Sequence, residues 1–278
     1  RALAVAFRDN TVVIHNAMFD LFVMSHKYGI PFPRKVYDTM LSHHRLYPEV
    51  EKSLGHCISL YIDREYHKNE GVFEPRNQQQ ILSLYHYNAK DVISLALLKP
   101  KLELHAAQLY AKESIQQVND SIIPYLTAMC QGMNYDKKTL EDKIAYNNRY
   151  CAQLSRVLRL LVGYELNPNS PKQVSNYLYN CMLYKKPAKD LTNEKTLLQL
   201  RLKHPNPVLT LILKYRGVAK QSGQLKFPPY VPRGTTKERI TTAYNLAGTT
   251  TFRLASKRLL GRWGTNVQNF PKDLRKLF

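Results

Sequence analysis

The feature that most constrains the fold is a change of hydrophobic period near the amino terminus. Residues 11–14 read Thr-Val-Val-Ile, a β-branched run bounded by Asp9-Asn10 and by His15-Asn16. Such a run suits a short buried strand, because branched side chains pack well on a pleated surface. Immediately after it, Met18, Leu21, Phe22 and Met24 fall at helical spacing, and Gly29, Pro31 and Pro33 end the pattern. A second strand is expected at 35–37 and a helix at 39–46. Residues 63–78 read as a polar loop, and a helix is expected from Gln79 to Leu98, stopped by Pro100. A strand that feeds directly into a helix, twice, predicts an α/β layer structure.

Beyond Pro100 the pattern is helical. Two long helices are expected over 102–132 and 136–163, parted by Gly132-Met133-Asn134. Asn169 or Ser170 should cap a helix that starts at Pro171 and runs to about Tyr179. Thr192 should cap another, and a further helix is expected over 206–222. Residues 226–236 are Pro/Gly-rich and read as a loop, and 239–245 and 250–254 read as paired strands. The change of character places a boundary near 100–115.

Charge is confined to one end. Residues 1–100 carry 12 basic and 10 acidic side chains, a balance of +2, whereas residues 101–278 carry 29 and 11, a balance of +18. Residues 201–278 alone contribute 16 and 2, or +14. An excess this large points to a polyanion, with nucleic acid favoured over a membrane surface or an acidic protein. The four cysteines, Cys57, Cys130, Cys151 and Cys181, form no CxxC pair and are expected to be reduced. No apolar run is long enough to span a bilayer. The chain begins at Arg1 and stops at Phe278 within a basic apolar stretch, so a fragment of a longer protein is expected.

Two spacings could carry chemistry. One is Asn16-Ala17-Met18-Phe19-Asp20 after the first strand, and the other is Tyr87-Asn88-Ala89-Lys90-Asp91 on a helix. Tyr87 and Asp91 are four apart and share a helix face. A carboxylate at a strand end that faces another on a helix can hold divalent cations, and a pair of cations clamps the attacking and leaving oxygens of a phosphodiester. Oxygen-only ligands suit Mg²⁺. Taken singly, each spacing is also what a helix-terminal acid or an amphipathic tyrosine would give.

In context these motifs resemble the tyrosine-containing branch of the DEDD 3′→5′ exonucleases. VVIHNAMFD resembles that family's second motif and YNAKD its third, while Tyr37-Asp38-Thr39-Met40 and Lys52-Ser53-Leu54 resemble the segments between them. The resemblance implies that Asp20 and Asp91 are metal carboxylates for Mg²⁺ or Mn²⁺, that Tyr87 positions the water, and that Asp38 is structural. The family's first motif, Asp-x-Glu, supplies the other metal carboxylates and is not found upstream of residue 11. Half of a two-metal site is therefore expected here.

The second part resembles the thumb and early palm of family A DNA polymerases, the DNA polymerase I group. Ile123-Pro124 through Asp136, Leu166-Asn167-Pro168-Asn169-Ser170-Pro171-Lys172-Gln173, Tyr215-Arg216 with Lys220, Arg239 to Tyr244, Thr249 to Ser256, Asn266-Val267-Gln268-Asn269-Phe270-Pro271, and then Arg275 and Phe278 match that group's motifs in order. The resemblance implies DNA-binding roles for Tyr215, Arg216, Lys220, Arg253, Asn266, Gln268, Asn269 and Arg275. Neutral amides suit the minor groove, whose acceptors are nearly the same for every base pair. The chain departs from the pattern at Phe252, where the family has Gly, at Ala255 and at Phe270.

The expected architecture is α/β, a partial RNase H-like exonuclease domain over 1–105. A mostly α-helical thumb and the start of an α+β palm follow over 106–278, cut before the catalytic palm motifs. The expected parent is a proofreading DNA polymerase acting as a monomer in the cytoplasm, not at a membrane. Its partners would be primer-template DNA, a single-stranded 3′ end and dNTPs. A stand-alone exonuclease in the manner of ribonuclease D, or a non-catalytic DNA-binding module, are the alternatives.

Overall fold

The computed structural model describes residues 2–63, 67, 74–189, 191–270, 272 and 274–277, with the side chain of Leu277 excluded. Most of the loop expected at 63–78, together with Pro271, Asp273 and Phe278, lies outside the described residues. The chain divides into two compact units, one of residues 1–133 and 229–268, the other of 134–228 and 269–278.

In the first unit, helix α1 (Ala2–Asp9) leads to strand β1 (Thr11–Ile14), helix α2 (Ala17–Tyr28), strand β2 (Lys35–Asp38), and helices α3 (Thr39–Leu46) and α4 (Leu54–Ile62). β1 and β2 are parallel, with Val12 opposite Val36 and Ile14 opposite Asp38. Parallel neighbours need a crossover, and α2 supplies it. Helices α5 (Gln78–Gln108) and α6 (Lys112–Gln131) follow. The main core joins Met18, Leu21 and Phe22 of α2 to Leu41 of α3 and to Val118, Ile122, Leu126 and Met129 of α6. A smaller cluster joins Cys57 and Tyr61 of α4 to Leu98 and Leu102 of α5.

α5 does not stop at Pro100; it runs through it to Gln108. Proline removes the bond to the carbonyl of Ala96. Leu98 and Leu102, on either side of it, are fully buried, and their packing outweighs the local loss. The single helix expected over 102–132 is instead broken at 109–111, where Tyr110 takes a left-handed φ of +52°. α6 ends at Gly132, whose φ is +62° and where a β-carbon would meet the Ile240 carbonyl at 2.9 Å. Glycine is required there.

The second unit holds helix α7 (Lys137–Val162), helix α8 (Pro171–Asn176) continuing into a wider helical turn at Tyr177–Cys181, and helices α9 (Glu194–Lys203) and α10 (Pro207–Leu225). Ser170 caps α8 by accepting from the Gln173 N–H, with Pro171 at its first position as expected. The cap of α9 is Asn193, whose side chain accepts from the Thr196 N–H at 2.8 Å, and not Thr192, which is buried. Leu158 of α7, Val174 and Leu178, Leu197 of α9, and Leu209 and Ile212 of α10 form this unit's core.

Residues 229–268 return to the first unit. Tyr230 pairs with Arg239, and Met133 with Ile240. Strands β3 (Ala243–Asn245) and β4 (Ala255–Lys257) are antiparallel. The second strand therefore begins after the expected 250–254. Those residues form a turn in which the Phe252 N–H donates to the Thr249 carbonyl at 3.3 Å.

Candidate nuclease site and nucleic-acid interface

β1 delivers the chain to Asn16, which takes a left-handed φ of +69° and so turns it into α2. Asparagine tolerates that conformation better than most side chains. Asp20 then stands in the first turn of α2, where a negative charge is favoured by the exposed N–H groups. Its carboxyl is half-buried and has no hydrogen-bond or ion-pair partner among the described residues, and burial pushes its pKa up.

Asp38 sits at the end of β2 and is completely buried. Its Oδ1 accepts from the N–H groups of Asn16, Met40 and Leu41 at 3.2, 2.8 and 3.1 Å, and its Oδ2 accepts from Ala17 at 2.7 Å. One carboxylate thus caps α3 and ties the start of α2 to it. Burial pushes its pKa up to about 6, with the four N–H donors opposing. A further bond from the Asp38 N–H to Asn119 Oδ1, at 2.6 Å, joins α6 to the same corner. The role implied for Asp38 was structural, and its surroundings are of that kind.

Tyr87 and Asp91 lie one turn apart on α5, and the helix packs against β1. Tyr87 is buried. Its side chain hydrogen-bonds Asp91, and the ring of His67 lies 5.2 Å from the Tyr87 ring. His67 Nε2 is 3.0 Å from Asp91 Oδ1. Burial raises the Asp91 pKa, and His67 and Tyr87 oppose the rise. The structure thus gathers Tyr87, Asp91 and His67. The histidine was not singled out from the sequence, because it stands in a polar segment with no spacing that links it to YNAKD. Among the described residues no three His, Cys, Asp or Glu side chains group as a metal site. The donors present, two partly buried carboxylates and a phenol, are oxygen groups of the kind that suit a hard divalent cation. A cation would favour the ionised form that burial disfavours.

The expected DNA-contact residues divide by environment. In the second unit, Lys220 is exposed and Tyr215 half-buried on α10. Arg216, in contrast, is committed to the protein. Its Nε donates to the Pro168 carbonyl at 2.6 Å and its Nη1 to the Thr192 carbonyl, and burial lowers its pKa. The guanidinium for which the resemblance implies a DNA contact is therefore engaged by two backbone carbonyls. Arg216 instead braces the Asn-Pro-Asn-Ser-Pro loop and the residue before the α9 cap. Asn269 and Arg275 are exposed; the Asn269 carbonyl accepts from Gln224, and Arg275 Nε donates to the Phe270 carbonyl at 3.2 Å.

In the first unit, Arg253 is exposed and lies in the turn before β4, not on a strand. Asn266 Oδ1 accepts from Ser256 Oγ at 2.6 Å and from the Gln268 N–H at 3.1 Å. Gln268 Nε2 donates to the Leu254 carbonyl at 2.9 Å. The two amides so identified hold the segment after β4 against β4 and its approach.

The acidic motifs lie in the unit that carries the parallel strands, and the long basic helices α7 and α10 lie in the second unit. The family model for 3′-5′ exonuclease matches residues 1–106, and that for DNA polymerase family A matches residues 137–277. The chain belongs to DNA polymerase family A. It is 29% identical over 279 residues to DNA polymerase I of Synechocystis sp., an alignment that covers 93% of this chain and 27% of that protein. It is 35% identical over 118 residues to DNA polymerase I of Helicobacter pylori, covering 42% of this chain and 12% of the relative. The chain thus spans about a quarter, or less, of the length of these curated relatives. The solved POL domain of Pol1 from M. smegmatis, in complex with DNA primer-template and dNTP, shares the fold with a TM-score of 0.74 at 20% identity, over 99% of this chain and 46% of that one.

Proposed function

We propose that the chain is the part of a proofreading DNA polymerase that carries the second half of a 3′→5′ exonuclease site and the DNA-gripping approach to the polymerase palm. The observation that carries this reading is the order of the two family matches, 3′-5′ exonuclease at 1–106 and DNA polymerase family A at 137–277, on one chain. Asp20 and Asp91 would hold divalent metal, and the Tyr87 hydroxyl, already on the Asp91 carboxylate, would orient the attacking water. Mg²⁺, when bound with the carboxylates of an Asp-x-Glu pair, would neutralise charge on the scissile phosphate. The basic surface would take primer-template DNA, with Lys220, Arg253 and Arg275 on phosphates and with Asn266, Gln268 and Asn269 near the minor groove. Polymerisation belongs to the parent protein, which would take dNTPs. No helix among the described residues is long and apolar enough to cross a membrane.

The test is to incubate the purified chain, with Mg²⁺, with end-labelled single-stranded DNA and separately with primer-template DNA and dNTPs. Duplex binding without strand shortening or primer extension is expected. Degradation or extension would refute the half-site reading, and a failure to bind duplex at low salt would refute the DNA-gripping role.

A further inference from the structure

We propose that Phe252 is a positioning residue: held by His44 and Arg45 in the last turn of helix α3, it fixes the Thr249–Arg253 turn and thereby sets where Arg253 meets DNA. Phe252 occupies a left-handed backbone position, φ +57°, where a β-carbon is disfavoured and where the family pattern has glycine. A glycine there would leave the turn free to move. The aromatic side chain instead anchors it. The Arg45 guanidinium carbon lies 4.4 Å from the Phe252 ring centroid, within the range of a cation–π contact. The His44 ring meets the same ring edge-on, with centroids 5.5 Å apart at 75°.

Two further observations tie the turn to the helix. His44 is buried, and its Nε2 donates to the Thr249 carbonyl at 3.0 Å, so α3 holds the beginning of the turn as well as its third residue beyond. Arg45 Nε is buried with no hydrogen-bond partner among the described residues, which leaves the Phe252 ring as the contact the structure shows for this guanidinium. The turn is closed internally by the Phe252 N–H on the Thr249 carbonyl at 3.3 Å and by Thr249 Oγ1 on the Arg253 carbonyl at 3.0 Å. Arg253 follows at once, its side chain exposed. α3 itself starts from Asp38, the buried carboxylate that also holds the first N–H groups of α2. One run of contacts therefore leads from the helix that carries Asp20 to the backbone of Arg253. This inference rests on the reading that Arg253 contacts DNA.

The experiment measures the affinity of the chain for a fluorescein-labelled primer-template duplex by anisotropy, with thermal melts as a control for folding. The variants are Phe252→Gly, Arg253→Ala, the double variant, and Arg45→Met, which keeps an unbranched stem and removes the guanidinium and its charge. Arg253→Ala is expected to weaken binding by about tenfold, the size of one lost charge-assisted contact. Phe252→Gly and Arg45→Met should each weaken it by several-fold alone, and Phe252→Gly should add nothing once Arg253 is alanine. A residue that mattered only for folding would weaken both backgrounds equally. That result, or full affinity in Phe252→Gly, would overturn the proposal. Unchanged affinity in Arg253→Ala would remove the DNA contact itself and the proposal with it.

Discussion

Single buried residues set the pH response of the first unit. His15 Nε2 donates to the Lys52 carbonyl at 3.0 Å, and burial pulls its pKa down to about 4. The folded state thus takes up this proton later than the unfolded chain, so stability present above the ordinary value of 6.5 is lost as pH falls toward 4. His26, His43 and His44 are shifted the same way, with burial the main cause. Asp38 acts in the opposite sense. With its pKa at about 6, the folded state binds that proton first, and stability rises as pH falls from 6 toward 4. Asp20 and Asp91, also raised by burial, act with Asp38, but the four histidines outnumber these three carboxyls and predict a net loss in acid. Urea unfolding should show a less stable chain at pH 5 than at pH 7. His15→Gln should flatten that dependence by roughly 2 kcal/mol. Parallel pH profiles for the two proteins would exclude His15 as a source. Asp38 was legible in the sequence only as a structural acid within a family motif. Its four backbone donors come from two segments that spacing alone does not bring together. The same holds for Phe252, whose departure from the family's glycine was visible while its partners on α3 were not.

Elements fall where the sequence puts them when side-chain period and punctuation agree, and depart from it where packing overrides the local signal. β1, α2, β2 and α3 fall where Thr11–Ile14, Gly29 and the β-branched and helical spacings put them. α5 does not, because Pro100 is a local stop signal and the burial of Leu98 and Leu102 is a long-range fact. The break at Tyr110 carries no glycine or proline to announce it. Pro100→Ala should restore a donor for the Ala96 carbonyl and stabilise the chain by about 1–3 kcal/mol, read from the unfolding midpoint. A loss of stability would mean that the proline's bend is needed to seat both leucines. Arg216 makes a second case. As Tyr-Arg-x-x-x-Lys it reads as a phosphate contact, but its donors end on the Pro168 and Thr192 carbonyls. Arg216→Met should therefore lower the melting temperature of the second unit, leaving two buried carbonyls without donors at a cost of about 1–3 kcal/mol each. If it lowers DNA affinity at unchanged melting temperature, the phosphate role returns.

For the molecule as a whole, the uneven charge is the property that local structure does not alter. The balance of +14 over residues 201–278 comes from 16 basic and 2 acidic side chains. Each lysine or arginine that reaches a phosphate releases condensed counterions, so affinity for duplex should fall linearly in log–log form with salt. The slope counts contacts and so separates the two kinds of basic residue seen here. Lys220 is exposed and has no ion-pair partner among the described residues, so Lys220→Ala should weaken binding on any sequence and reduce the slope by about one. Arg216→Met should leave the slope unchanged, because its guanidinium is already satisfied by carbonyls. Anisotropy titrations from low to moderate salt would decide between them. Equal slopes for the parent and the Lys220 variant would place the phosphate backbone elsewhere on the basic surface. A smaller slope for the Arg216 variant would show that Arg216 meets a phosphate after all.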